Sequence, residues 1–574
     1  MGAWIAGERI YCGPDGRLGR QSRPPSSLPP IVFIQYTLWY TIQRNTPRGS
    51  PPRSVREDPT VLRFVRPQVQ IAGCALGAML FAASIAGAQQ EPYPGFDAYV
   101  TKTMADGKVP GLSLAIVRND SVIYVKAYGV KEIGKPDRID ENTLFEIGST
   151  TKTFTSTLVG IMQTDGKLRF DDRITTHLPD FRLYDPYASA EVTIRDALSH
   201  RTGLARGELM WLGSGLSRTE IIRRLRFQPP ATSFRSAYAY NNPMIVVAGE
   251  VAAKAGGSTW EDLIQQRILT PLGMTRSMPV VKDFRRVSNV ATPHAVGPSG
   301  SYAQEHELLE NIAPAGSINS TARDMAQYLR FQMSDGTFNG KRIIATEALR
   351  EIHTPQMLIA SGGRGSGDGV ARLNSYGLGF FVADFRDRVY WNHGGNTVGM
   401  TAAMGMLPTE KIGAVVLSNL DHTGVPDAVV RYVLERHLNV PIQVAQAGRG
   451  GGGGGGAGGA GAGRGNAAPA PVSNTPPVSL AAYVGTFADS LFGEVTVTEK
   501  DGKLSAVRGG LNGTMEPVNR DNFTWSTGLT VLPTLPVQFL VGADGRASAL
   551  VVTFGGESWR LGRKVTRAGG QGGR

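Results

Sequence analysis

The sequence predicts an α+β fold: an antiparallel sheet flanked by helices around a mostly helical middle, followed by a small all-β domain at the C-terminus. Three observations carry this. Strand signals cluster at two distant places, LSLAIV and VIYVKAYG within 112–129, and four apolar runs between 376 and 419. Helical spacing dominates from 149 to about 350. A Gly/Pro tract at 446–475 then separates these segments from hairpin-like stretches at 476–565. Strands at both ends of a helical segment pair most simply into one sheet with helices packed around it.

Length and composition bound the reading. A chain of 574 residues is expected to hold more than one domain. With 41% hydrophobic and 19% charged residues it can build globular cores. Half of the net charge of +12 comes from residues 1–88, which hold ten Arg and four acidic residues. The remainder has no long basic run, so no nucleic-acid partner is expected.

In chain order, residues 1–60 are rich in Arg, Pro and Ser and are expected to be disordered, or to precede the true start of the protein. Arg63 and Arg66 then precede an apolar run, Ile71–Ile85, that ends in Ala86-Gly87-Ala88. A basic region, an apolar region and an A-x-A site form a secretory signal peptide over about 61–88, here in an internal position. The protein is therefore expected to be periplasmic or secreted, with membrane association only if that segment stays uncleaved. Both cysteines, Cys12 and Cys74, fall in this extension. The mature chain then has no disulfide, Cys nucleophile or thiolate site. The sequence contains no H-E-x-x-H and no C-x-x-C, and neither a metal nor a cofactor is expected.

A first unit is expected over 89–445. Residues 92–108 read as a helix. Arg118–Ser121 joins two strands as a hairpin. TIRDALSHRTGL, 193–204, reads as a helix ending near His200–Gly203, and 362–369 as a Gly-rich loop. YGLGFFV, RVYWN, TAAMGML and IGAVVLSN read as strands, and 425–438 as a last helix. The tract 446–475 cannot form a core and reads as a linker spanning roughly 30 Å. Beyond it, Asp501-Gly502 and Asp544-Gly545 sit between apolar alternations, the mark of hairpins.

The chemistry rests on three boxes. Ser149-Thr150-Thr151-Lys152 places a serine at a helix N-terminus, where free N–H groups and the dipole favour developing negative charge. Lys152, one turn on and on the same face, can take the serine proton if its pKa is lowered. Tyr240-Asn241-Asn242 offers a phenol to shuttle a proton, given a cationic neighbour to lower its pKa, and an amide to bridge Lys152 to a substrate amide. His393-Gly394-Gly395-Asn396 lies between two strand signals. Its glycines let a substrate approach a strand edge, and a following N–H can pair with that of Ser149 as an oxyanion hole. His393 is a candidate partner for a substrate carboxylate or for the Tyr240 hydroxyl.

The order S-x-x-K, Y-x-N, H-x-G resembles the serine β-lactamase and penicillin-binding superfamily, and more closely its class C β-lactamase-related hydrolases of the peptidase and esterase group. VPGLSLAIV, TLFEIGSTTKTFT, TIRDALSHRTGL, AYNNPMIVVAGEV, PAGSINSTARDMAQYL and NHGGNTVGM carry the resemblance over about 91–440. The segment 476–564 resembles the lipocalin-like β-domain appended to some of these enzymes.

The resemblance implies that Ser149 is acylated, that Lys152 and Tyr240 move its proton, and that Asn242 orients substrate and Lys152. It also implies that the Ser149 and Asn396 N–H groups hold the oxyanion. The third box departs from the Lys-Thr-Gly of many penicillin-recognising enzymes. Histidine is largely neutral at pH 7 and anchors a carboxylate weakly. That favours peptide, amide or ester substrates, including those with D-residues, over β-lactams. A β-lactamase or DD-peptidase, and a penicillin-binding sensor without turnover, remain the alternatives. The partner is a small-molecule or peptide substrate, and oligomerisation is left open.

Overall fold

The computed structural model describes residues 90–359, 373–442, 478–529, 532–554 and 557–564, and three short strands near the N-terminus. The expected signal segment at 61–88, the loop at 362–369 and the linker at 446–475 lie outside the described residues. The N-terminal strands, β1 (Ala3–Ile5), β2 (Glu8–Cys12) and β3 (Leu18–Gln21), form a small antiparallel sheet where disorder is expected. Their residues explain the difference: Trp, Ile and Tyr favour strands, and the intervening Gly-Pro-Asp-Gly has turn composition.

The main sheet is built from the two strand clusters. Helix α1 (Phe96–Asp106) leads into the hairpin β4 (Gly111–Arg118) and β5 (Ser121–Gly129). Asn119 and Asp120 turn it with φ of 49° and 60°, a conformation these residue types tolerate. Six later strands complete the sheet: β6 (Met357–Leu358), β7 (Asn374–Tyr376), β8 (Phe381–Phe385), β9 (Arg388–Thr397), β10 (Met400–Leu407) and β11 (Ile412–Ser418). The order is β6-β7-β8-β9-β10-β11-β4-β5, antiparallel throughout. YGLGFFV is not one strand. Its two glycines allow a loop closed by the Gly377 N–H donating to the Phe380 carbonyl at 2.8 Å, which separates β7 from β8. The third box also departs from expectation: it lies inside one strand, β9, and not between two.

Alternation along β4 divides the packing. Leu112, Leu114 and Ile116 face a core with α1 and the last helix of this unit, Val425–His437. Ala115 and Val117 face the opposite core, which contains the helical middle. At its centre is α2 (Thr151–Thr164), buried on all sides from Thr151 to Met162. A helix this enclosed must satisfy its polar side chains internally. Thr153 Oγ1 donates to the Thr150 carbonyl and Thr155 Oγ1 to that of Pro314, both within 2.8 Å. Gln332 Nε2, from a helix at Ala322–Gln332, donates to Thr157 Oγ1 at 2.9 Å. The residues at the N-terminal end of α2 are thereby held in a fixed frame. The expected helix at 193–204 is cut to α3 (Ile194–Leu198), because His200 adopts φ 56° and breaks it.

The C-terminal segment forms an eight-stranded barrel: β12 (Gly485–Asp489), β13 (Gly493–Lys500), β14 (Lys503–Arg508), β15 (Leu511–Asn519), β16 (Asn522–Leu529), β17 (Leu532–Val541), β18 (Ala547–Phe554) and β19 (Glu557–Arg563). Consecutive strands pair, and β12 closes on β19 through Phe487 opposite Arg563. Leu504, Ala506 and Arg508 alternate inward along β14, whereas Val507 is exposed. No helix among the described residues is long and apolar enough to cross a membrane.

Candidate active site

Ser149 sits in a single 3₁₀ turn, Gly148–Thr150, that runs into α2. Its hydroxyl is the meeting point of the first two boxes. Lys152 Nζ lies 2.9 Å from Ser149 Oγ and donates to the Ala315 carbonyl at 2.8 Å. The Tyr240 hydroxyl donates to Ser149 Oγ at 2.8 Å. Lys152 is fully buried, Tyr240 is nearly so, and Ser149 keeps some exposure.

Burial pushes the Lys152 amine well below its ordinary range, and the Arg206 guanidinium pushes the same way, with Glu208 opposing. A lowered pKa makes the amine lone pair of a buried lysine easier to free for accepting a proton. The Tyr240 phenol moves up instead: the cost of burying its anion outweighs Arg206 and the Ser149 hydrogen bond. The cationic neighbour expected to lower it is present, 4.8 Å from the ring, but does not win.

Tyr240 is fixed by its neighbours. Asn241 caps the helix α5 (Asn242–Gly256) by accepting from the Met244 N–H at 2.9 Å. His200 holds the same segment twice. Its carbonyl accepts the Ala239 N–H at 2.8 Å, and its Nδ1 accepts the Asn241 N–H at 3.1 Å. The two rings lie 4.3 Å apart. Burial, Lys152, His393 and Arg206 keep His200 neutral, as an acceptor Nδ1 requires.

Lys152 is held by Ser149 Oγ and the Ala315 carbonyl, and Asn242 makes no hydrogen bond to it, contrary to expectation; the amide turns to Glu208 instead. Its Nδ2 donates to Glu208 Oε2 at 3.2 Å, while its Oδ1 is buried without a partner. Glu208 opens the short helix α4 (Glu208–Trp211) and also accepts from Arg206 Nε at 2.6 Å. The sequence reading missed Arg206, Glu208 and His200. His200 and the residues after it were on view in SHRTGL, but without a role.

The third box comes to the nucleophile by its backbone. Strand β8 pairs with β9 only as far as Asn392, so 393–397 have β10 on one side and the Ser149 turn on the other. A Cβ at Gly395 would lie 1.9 Å from the Ile147 carbonyl oxygen and 2.7 Å from Ser149 N. The glycine therefore admits the nucleophile's turn, where an approaching substrate was expected. The other face of this contact is Gly148, where a Cβ would lie 2.8 Å from Asn396 N. Gly394 contributes its carbonyl to His393, and Asn396 Oδ1 accepts from Thr401 at 2.9 Å.

His393 corrects a further expectation. Its Nδ1 donates to its neighbour's carbonyl, Gly394, at 2.6 Å, so its Nε2 accepts from the Tyr376 hydroxyl at 2.9 Å. With both nitrogens engaged, its partners are Tyr376 and Gly394, and it does not bond Tyr240. Burial and the nearby Lys152 push it down to about 3. Among the described residues, no group of three or more His, Cys, Asp or Glu is placed to hold a metal.

Comparison with known proteins identifies the family and the fold. A family model described as Beta-lactamase matches residues 96–438, more than half of the chain. Another, described as a domain of unknown function (DUF3471), matches 469–563. An unguisins hydrolase of Aspergillus violaceofuscus is 26% identical over 502 residues, covering 79% of this chain and 87% of that protein. Penicillin-binding protein 4 of Amycolatopsis lactamdurans is 27% identical over 325 residues, 54% of this chain and 81% of that protein. The structure of an octameric penicillin-binding protein homologue from Pyrococcus abyssi has the same fold, with a TM-score of 0.54 at 21% identity over 81% of this chain and 98% of that one. With its α+β sheet, helical middle and appended barrel, the chain belongs to the beta-lactamase family of serine hydrolases.

Proposed function

We infer that this is an exported hydrolase that works through an acyl-enzyme on Ser149 and cleaves peptide, amide or ester bonds. One observation carries the reading: a partly exposed serine hydroxyl lies 2.9 Å from a buried lysine amine and 2.8 Å from a phenol.

As Ser149 Oγ bonds to the substrate carbonyl carbon, its proton passes to the Lys152 lone pair. The backbone N–H groups of Ser149 and Asn396 are the candidates to hold the oxyanion. When the acyl–nitrogen or acyl–oxygen bond breaks, the Tyr240 O–H protonates the leaving group. The resulting phenolate faces Lys152 and Arg206, each 4.8 Å from its ring. In deacylation, water adds to the acyl carbon and its proton returns Tyr240 to the phenol. The bond between the acyl carbon and Ser149 Oγ then breaks, the acid leaves, and Lys152 returns its proton to Oγ.

The substrate preference is supported by His393, whose neutral, fully engaged ring offers no charge for a β-lactam carboxylate. A relative named an unguisins hydrolase supports a hydrolytic reaction. Export is supported by the basic, apolar and A-x-A order at 63–88. N-terminal sequencing of the secreted protein tests it.

A panel of D-amino-acid amides, short-chain nitrophenyl esters and nitrocefin tests the chemistry, with Ser149→Ala as control. Amide or ester turnover that vanishes in the control is expected, together with loss of labelling by a serine-directed phosphonate. Labelling that persists in Ser149→Ala would reject the assignment, and nitrocefin as the best substrate would make this a β-lactamase.

A further inference from the structure

The barrel meets the catalytic unit at a joint made of backbone. The Gly510 N–H, in the turn between β14 and β15, donates to the Gly213 carbonyl at 2.7 Å. Gly213 has φ 58°, and a Cβ there would lie 2.6 Å from Leu511 Cδ2 and 2.8 Å from Leu529 Cδ1. Across the joint, Gly509 has φ 55°, and a Cβ there would lie 2.2 Å from the Ser214 carbonyl oxygen. Glycines on both sides let the two backbone segments touch with no side chain between them. A second tie stands beside it: Arg224 Nη1 donates to the Leu491 carbonyl at 3.1 Å.

What the barrel grips is the cleft wall. One turn of α4 separates Gly213 from Glu208. The turn is tied at Trp211, whose carbonyl accepts from Ser214 Oγ at 2.9 Å and from Asn311 Nδ2 at 3.0 Å. Glu208 holds Asn242 and Arg206, and Arg206 faces the Tyr240 ring. Beside the joint opens a cavity of about 680 Å³, lined by Trp211, Gly213, Ser214, Arg218, Glu307 and Asn311.

We propose that the C-terminal barrel is a brace for the catalytic cleft: by gripping Gly213 and Ser214 it fixes the segment 205–212, and through Glu208 and Arg206 it sets the positions of Asn242 and Tyr240 against Ser149. This gives the domain of unknown function a task in the reaction while none of its described residues is bonded to Ser149, Lys152 or Tyr240. The catalytic half of the proposal rests on the reading of Ser149 above, whereas the mechanical half stands without it.

The test uses the full chain with two independent lesions. Gly213→Val drives a side chain into Leu511 and Leu529. Arg224→Met combined with Leu529→Ala removes contacts without adding a clash. Amide hydrogen exchange is read separately in 205–212, in α2 and in the barrel, alongside phosphonate labelling of Ser149 and the kcat/KM split on the best ester.

The brace predicts faster exchange in 205–212 with α2 and the barrel still protected. It also predicts labelling and kcat slowed by about a hundredfold, the effect of a displacement of roughly 1 Å in a reacting constellation. Unchanged exchange in 205–212 in the second variant overturns the proposal, whether or not Ser149 reacts. Faster exchange with wild-type labelling and kcat overturns the catalytic role of the grip. If wild-type Ser149 does not label at all, the acyl-enzyme reading falls, and exchange alone decides the mechanical claim.

Discussion

The guanidinium of Arg206 and the amine of Lys152 stand over the same ring, each 4.8 Å from the centroid of Tyr240. Two cations cannot share that space without cost, and the lysine is the one able to shed its charge. Burial lowers the Lys152 pKa most, and Arg206 adds to it in the same direction. Replacing Arg206 with Met removes a positive neighbour and leaves Glu208 to favour the ammonium, so the Lys152 pKa should rise. The acid limb of the acylation rate moves to higher pH, and labelling at pH 7 falls. Rate–pH profiles of wild type and Arg206→Met check this, and coincident limbs would refute it.

Lys152→Met removes the base while filling the same buried space. Acylation should drop by about 10²–10⁴-fold, the usual worth of a positioned general base. The melting temperature should hold or rise, since an apolar side chain replaces a buried amine. Phosphonate labelling and thermal unfolding together separate chemistry from folding, and a variant that labels at the wild-type rate excludes Lys152 as the base.

Gly395→Ala places a methyl 1.9 Å from the Ile147 carbonyl oxygen, which cannot move without Ser149. Overpacking of this kind costs about 1–3 kcal/mol. The Ser149 turn is the part displaced, so activity should fall far more than stability. Denaturant melts and labelling rates measured side by side test that ordering.

How much of this was legible follows how local each feature is. The spacing of Ser149 and Lys152 is a property of one helical turn, and the β4–β5 hairpin of one turn sequence, so both could be read directly. The third box could be located but not understood. The reason for Gly395 lies in Ile147, nearly 250 residues earlier in the chain, and the partner of His393 is a tyrosine on another strand. Arg206 and Glu208 sit in a stretch with ordinary loop composition, and only the fold sets them beside Tyr240 and Asn242. A barrel at the C-terminus was expected from the resemblance to a lipocalin-like domain and not from the hairpin signals, which describe neighbouring strands, whereas closure depends on Phe487 meeting Arg563.

His200 acts on Tyr240 from behind. His200→Asn tolerates φ 56° and keeps an amide oxygen near the Nδ1 position but loses the ring against Tyr240; His200→Phe keeps a ring, loses the acceptor and adds backbone strain. Both should lower kcat by about tenfold or more, with little change in KM, as expected when a proton donor is misaligned and substrate contacts are intact. Phe should also cost roughly a further 1 kcal/mol in stability. Steady-state kinetics on an ester and thermal melts distinguish the two effects. Equal losses in kcat and 1/KM would point to a collapsed cleft instead.

His353 sets an acid limit on the fold. It is stacked 3.8 Å from Trp391, and burial pushes its pKa down to about 3. In the unfolded chain it takes a proton as the pH falls below about 6.5, while the folded chain does not follow until near 3. Stability is therefore lost across that interval, by an amount on the order of 4 kcal/mol at its lower end. His353→Phe should raise the melting temperature at pH 4–5 and leave it nearly unchanged at pH 8. A shift of the same size at both values would show that packing, and not ionisation, is responsible.

The order of the strands has a consequence for how the molecule comes into being. Residues 112–118 lie beside 412–418 in the finished sheet, so one margin of the first hairpin stays bare until almost the whole catalytic unit has left the ribosome. Its apolar Leu112, Leu114 and Ile116 meanwhile wait for a partner not yet made, a state open to association with other chains. Folding should accordingly be slow and concentration-sensitive in vitro, with the last seam to close joining the oldest part of the unit to its newest.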